Sequence, residues 1–137
     1  AEILLNYAEA LNEVDFAANK TQVCNLLDQI RHRGGIIGNV ADRADLNSQT
    51  AMRNFIHKER TIELAFEEHR WWDVRRWNVA GDALGRDIYG VNVAADGTIT
   101  RKVAQKRKWQ DKFYLYPIPE AEVWKIGQDF QNDGWKE

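Results

Sequence analysis

The stretch Asn47–Trp77, NSQTAMRNFIHKERTIELAFEEHRWWDVRRW, decides the fold. It has the length and rhythm of one long helix, or of a helix kinked late. Asn47 or Ser48 can offer a side-chain oxygen to the first free backbone N–H groups. At 3.6 residues per turn, Met52, Phe55, Ile56, Ile62, Phe66 and Trp77 fall on one broad face. Glu59, Glu63, Arg70 and Asp73 share it. An unpartnered buried charge is very costly, so these residues need counter-charges. Glu59 and Glu63 are one turn apart and repel mildly unless cations divide them. The pattern predicts a paired ionic layer within helix packing, completed by arginines from elsewhere. Arg70→Ala is then expected to lower stability. Carboxylates on one face could also serve acid–base chemistry or hold a metal. The neighbouring arginines argue against that, because they depress carboxylate pKa values and favour pairing.

Outward from this stretch, the bulk composition sets limits. The chain has 137 residues and is 44% hydrophobic, enough for one core of ordinary size. Nineteen basic residues face 21 acidic ones, a net charge of −2, which gives no general case for nucleic acid or anionic membrane as partner. Six tryptophans are many for a small core, so some are expected at a surface or against further protein. Cys24 is the only cysteine, so no internal disulfide can form, and its apolar helix edge reads as a small buried hydrophobe. His57 and His69 lack metal-binding spacing, and His32 reads as part of a helix end. No transmembrane run or signal peptide is visible. The chain opens already in helical rhythm at Ala1-Glu2-Ile3-Leu4-Leu5, as a fragment would.

Before the long stretch, residues 1–33 read as a helical hairpin. Ile3, Leu4, Tyr7, Ala8, Leu11 and Val14 form the first stripe, with Leu5 the exception. Residues 15–19 read as a short break, with Asn19 capping the second helix. Val23, Leu26, Leu27 and Ile30 form its stripe. Arg31-His32-Arg33 suits the negative end of the helix dipole, and Gly34-Gly35 stops the helix. The hairpin is loosely similar to one tetratricopeptide repeat unit, with Tyr7-Ala8 and Ala17-Ala18 as the pairing. The glycines at 34, 35 and 38 form no phosphate loop, since no Gly-Lys-Ser/Thr ending follows.

After the long stretch, residues 88–100 read as a small β-hairpin around the turn Asp96-Gly97. Arg101–Lys112 is strongly basic with Trp109 among the cations, which could touch phosphates and stack a base. Asp111 interrupts it and no nucleic-acid fold surrounds it, so a solvated loop or protein contact is the reading. Residues 113–137 hold an extended Pro117-Ile118-Pro119 segment, a short helix opened by Pro119 and anchored by Val123, Trp124 and Ile126, and a tail attached through Phe130 and Trp135.

Together these pieces resemble the carboxy-terminal region of the SusD/RagB family. The matching motifs are Leu4–Glu13 (LLNYAEALNE), Ile30–Gly34 (IRHRG), Glu59–Trp77 (ERTIELAFEEHRWWDVRRW), Tyr114–Pro119 (YLYPIP) with Glu122, and Gln131–Trp135 (QNDGW). Their order and spacing cover nearly the whole chain. Asp133 and Trp135 depart from the usual proline and tyrosine. The resemblance implies a mainly α fold: a tetratricopeptide-like helical hairpin, a long central helix over 47–77, a β-hairpin excursion and irregular loops. It implies roughly the last quarter of a longer protein, with an absent amino-terminal portion as packing partner and the lipid-anchoring cysteine beyond this chain. It also implies a surface lipoprotein of the Bacteroidetes outer membrane that binds glycans or other nutrients beside a TonB-dependent SusC-like porin, without catalysis, cofactor or metal. Glu59, Arg60, Glu63, Glu67, Arg70, Asp73 and Arg76 become framework residues rather than catalysts.

Sugar sites set aromatic faces beside a few polar groups. Trp72, Tyr89 and Trp109 are the nominated ligand contacts; the alternative is that each packs within the protein. Two other functions compete. One is a helical protein-interaction module without small ligand. The other is a hydrolase built on Glu59, Glu63 or Asp73, which the arginines disfavour.

Overall fold

The computed structural model describes residues 1–136. Glu137, which closes the expected 113–137 segment, lies outside the described residues. The chain divides into two compact units, Ala1–Arg70 and Trp71–Glu137.

The first unit is helical. Helices α1 (Glu2–Val14) and α2 (Phe16–Arg33) form the hairpin, and α1 also packs against α3 (Gln49–Glu63). Asp15 alone joins α1 to α2. It caps α2, its Oδ1 accepting from the Ala18 N–H at 3.0 Å, so the helix starts before the expected cap at Asn19. Asn19 instead donates its side-chain amide to the Asp15 and Leu11 carbonyls, satisfying the end of α1. The buried face of α1 is also rotated from the expected stripe. Leu5, Ala8 and Asn12 are buried, while Ile3 and Val14 are exposed. The reason is that α1 serves two helices, and its burial shifts toward α3. Asn12 is tolerated there because its Nδ2 donates to the Gln49 carbonyl at 3.2 Å and Gln49 Nε2 donates back to the Asn12 carbonyl at 2.8 Å.

The α2 stripe of Val23, Leu26, Leu27 and Ile30 is buried, joined by Cys24, whose thiol pKa is pushed up by burial. Gly34 caps the helix, and Gly35 takes the left-handed φ of +78° that turns the chain away. Ser48 Oγ caps α3, accepting from the Ala51 N–H. Met52, Phe55 and Ile56 complete the core with Val40, Leu46 and Leu64.

The stretch 47–77 is two helices, not one. Helix α3 ends at Glu63, and α4 spans His69–Arg76. Between them Phe66 (φ 67°) and Glu68 (φ 64°) are left-handed, a conformation no right-handed helix accommodates. The break lets Leu64, on the flank of the α3 face, reach the core at 5% exposure. Phe66, left-handed within the break, is exposed instead of buried, and so is Ile62, which is still in α3 but lies off the face holding Met52, Phe55, Ile56 and Arg60.

The second unit contains α4 from Trp71 onward, α5 (Ala80–Leu84), strands β1 (Ile88–Val93) and β2 (Ile99–Gln105), a 3-10 turn at Asp111–Tyr114, and α6 (Glu120–Ile126). The strands pair antiparallel, with Tyr89 opposite Val103 and Val91 opposite Arg101. Gly97 (φ 85°) permits the turn, and Asp96 Oδ1 accepts from the Thr98 N–H. The ribbon runs to Gln105, so the basic segment begins as strand. Val123 anchors α6, whereas Trp124, Ile126 and Phe130 are exposed. The tail clasps the proline segment through Gln131, whose Oε1 accepts from the Ile118 N–H at 2.8 Å while its Nε2 donates to the Ile118 carbonyl at 2.9 Å. Asn132 and Trp135 donate to the Tyr116 and Lys112 carbonyls.

Candidate functional site

The charged residues of the central stretch, from which a hydrolase would have to be built, engage one another and their neighbours. Arg31, in the last turn of α2, pairs with Glu59 at 2.5 Å, both largely shielded from water. Arg33 pairs with Glu63. Arg60 is buried and donates to Asn6 Oδ1 at 2.6 Å. Buried Asp73 accepts from Arg76 Nε at 2.9 Å. Glu67 is exposed in the turn before α4. Arg70, expected in a buried layer, is exposed and donates to Thr61 Oγ1 at 2.9 Å. The helix break is the reason: it takes Arg70 off the Glu59–Glu63 face. Among the described residues, no cluster of three His, Cys, Asp or Glu side chains could hold a metal.

A concave feature lies within the second unit. A cleft of about 550 Å³ is lined by Trp71, Leu84, Trp109 and Phe113, and by the run Gln105-Lys106-Arg107-Lys108. Its aromatic wall is built edge to face. Trp109 lies 6.1 Å from Trp71, 5.7 Å from Phe113 and 5.1 Å from Tyr114, centroid to centroid. Such geometry sets a positive ring edge against a negative ring face. Two glycines of the α5 region make room for the indole. A β-carbon on Gly81 would touch Trp109 Cδ1 at 3.4 Å, and one on Gly85 would sit 3.2 Å from Trp109 Cβ.

Arg75 fixes the same wall from α4. Its guanidinium lies 5.1 Å from the Trp71 ring and 4.4 Å from the Tyr116 ring, and it donates to the Tyr114 carbonyl at 2.5 Å. Trp71 Nε1 donates to Tyr116 Oη, and Tyr114 Oη accepts from the Ala80 N–H. These bonds tie α4, α5 and the Tyr114–Tyr116 run together, so the rings are held before any ligand arrives.

Of the nominated contacts, Trp109 lines the cleft. Trp72 is exposed with its ring 6.4 Å from Tyr116, and is not among the lining residues. Tyr89 stands on β1 with the Arg101 guanidinium 3.6 Å above its ring, also outside the lining. The structure therefore does not bring the three together. Trp71, Lys106, Arg107 and Lys108 were not nominated, although Trp71 is one helical turn before Arg75, a spacing that favours contact. The lining has indole and phenyl surface, cationic heads and one amide. It contains no carboxylate, histidine, serine or cysteine to act as base or nucleophile.

Comparison with known proteins agrees in extent with the resemblance. The SusD family profile matches residues 1–135. SusD-like protein P2 of Formosa agariphila is 35% identical over 126 residues, 90% of this chain and 22% of that protein. A SusD-like protein of Bacteroides fragilis superposes with a TM-score of 0.79 at 31% identity, covering 98% of this chain and 24% of the other. A second B. fragilis structure, described as a SusD-like carbohydrate-binding protein, gives 0.64 at 27% identity, over 92% of this chain and 26% of the other. The chain spans about a quarter of the length of the relatives it matches.

Proposed function

This chain belongs to the SusD family, and from that premise we propose that it forms part of a non-catalytic, surface-held protein that binds glycan for import through a TonB-dependent outer-membrane porin. The observation that carries the reading is the preorganised Trp71–Trp109 cleft. Indole faces cover the apolar faces of sugar rings, and a rigid wall spares the ligand the entropy of ordering it. The solved relative described as carbohydrate-binding supports the same class of ligand. The pairing of Glu59 with Arg31 and of Glu63 with Arg33 supports recognition without hydrolysis, since both carboxylates are engaged in packing the helices. The outer-membrane surface, with attachment through lipid, is the location this function requires.

Titration calorimetry against a panel of neutral and charged oligosaccharides tests the reading. Binding of at least one of them, lost in Trp109→Ala with the fold retained by circular dichroism, is the expected result. A folded chain that binds no oligosaccharide overturns it. Co-purification with a SusC-like porin tests the transport half separately.

A further inference from the structure

The cleft is cationic in a chain whose net charge is −2. Between Arg101 and Lys112 the sequence holds six cations and one carboxylate, Asp111. The structure divides five of those cations into two sets, with Lys102 exposed on β2 outside both. Arg101 lies over the Tyr89 ring, and Lys112 Nζ sits 4.4 Å from the Trp135 ring. Lys106, Arg107 and Lys108, by contrast, line the cleft together with Trp71 and Trp109, with no acidic residue among the lining. They occupy three consecutive positions just after β2, so three like charges share one short exposed run that lines the cleft with the apolar rings. Mutual repulsion in that arrangement is relieved by an anion, and low-dielectric ring surface strengthens the attraction.

We infer that the cleft selects acidic glycans, sugars carrying carboxylate or sulfate groups, with Trp71 and Trp109 taking the ring and Lys106, Arg107 and Lys108 taking the charge. The inference rests on the glycan-binding reading and narrows its ligand. A nucleic acid is the weaker match to the same cations. The run offers three charges in one short loop rather than a track along a backbone, and the chain as a whole is acidic.

The test uses the full chain and four probes: tetragalacturonate, a sulfated galactotetraose, uncharged galactotetraose and a short single-stranded oligonucleotide. The two acidic sugars separate carboxylate from sulfate recognition. Binding at least about tenfold tighter to one of them than to uncharged galactotetraose is expected. Raising salt to about 1 M, where the screening length falls to about 3 Å, should erase most of that preference. Replacing Lys106, Arg107 and Lys108 together with Gln should weaken the acidic sugar by about tenfold and leave any neutral binding within about twofold. The triple variant alters exposed loop residues; salt dependence of the unaltered chain supplies a second readout that no folding defect can mimic. Equal affinity for charged and uncharged sugars, or preference for the oligonucleotide, overturns the inference. In the equal-affinity case the glycan reading stands. No binding to any sugar overturns both.

Discussion

The two units are stabilised by different materials. Residues 1–70 pack aliphatic side chains between three helices, and nearly all the fully buried hydrophobics of the chain are there. Among the described residues from Trp71 onward only Val74, Ala80 and Val123 are buried hydrophobics, and rings, a guanidinium and backbone clasps do the rest. Aliphatic packing tolerates little exposure but needs no special geometry, because burial is non-directional. Ring edges, cations and amide pairs are directional, and they leave surfaces uncovered at defined angles. The first material closes its aliphatic core between helices, the second leaves ring faces and cations uncovered.

The largest expected effect tests the first half of that contrast. Leu27→Ala should cost about 2–5 kcal/mol in urea unfolding, since Leu27 is fully buried and its cavity cannot be refilled by rigid helices. A cost below about 1 kcal/mol would mean the helical core is not the main support. Next, Arg31→Ala strands the largely buried Glu59 and should cost about 3 kcal/mol, whereas Arg70→Ala, which loses one exposed hydrogen bond, should cost less than about 1. Similar melting temperatures for the two variants would erase the distinction. In the second half, Gln131→Ala removes both bonds to Ile118 and should cost about 2 kcal/mol, read as earlier loss of near-ultraviolet dichroism from the rings. An unchanged melting curve would show that the clasp is ornamental.

The smallest effect is electrostatic. The Arg53 guanidinium, and then the Asn12 amide, hold the Glu13 carboxyl below its ordinary pKa against the opposing effect of burial. A depressed carboxylate contributes stability that is fully present above the ordinary glutamate value of about 4.3 and is lost as pH falls through the lowered one. Glu13 is partly exposed, so screening keeps the effect well under about 1 kcal/mol. Glu13→Gln should therefore trail the unaltered chain at pH 7 and match it in strong acid. A gap that persists unchanged across that range would assign the effect to something other than this pair.

Legibility in the sequence followed another divide, between local features and those set by distant neighbours. The α2 stripe, its glycine stop, the Ser48 cap and the Asp96-Gly97 turn are local features, and each was readable from spacing and residue type. The break at 64–68 was not, because the left-handed positions are held by Phe66 and Glu68 rather than by glycine or asparagine. The rotation of α1 was hidden because it depends on a second neighbour far along the chain. Trp109 could be nominated as an aromatic among cations. Its partner Trp71 could not, since their pairing joins positions far apart in sequence that no periodicity links.

The β1–β2 ribbon carries a last consequence. Every residue of β2 is exposed, and Val91, Val93, Ile99 and Val103 face water rather than a third strand or a helix. A lone pair of strands is marginal by itself. Its inner amide protons should therefore trade for deuterium orders of magnitude faster than those of α2, although both are hydrogen-bonded. Arg101 and Lys102, set in its open border, discourage stacking into fibrils, and removing their charge should turn a soluble ornament into a nucleus for aggregates.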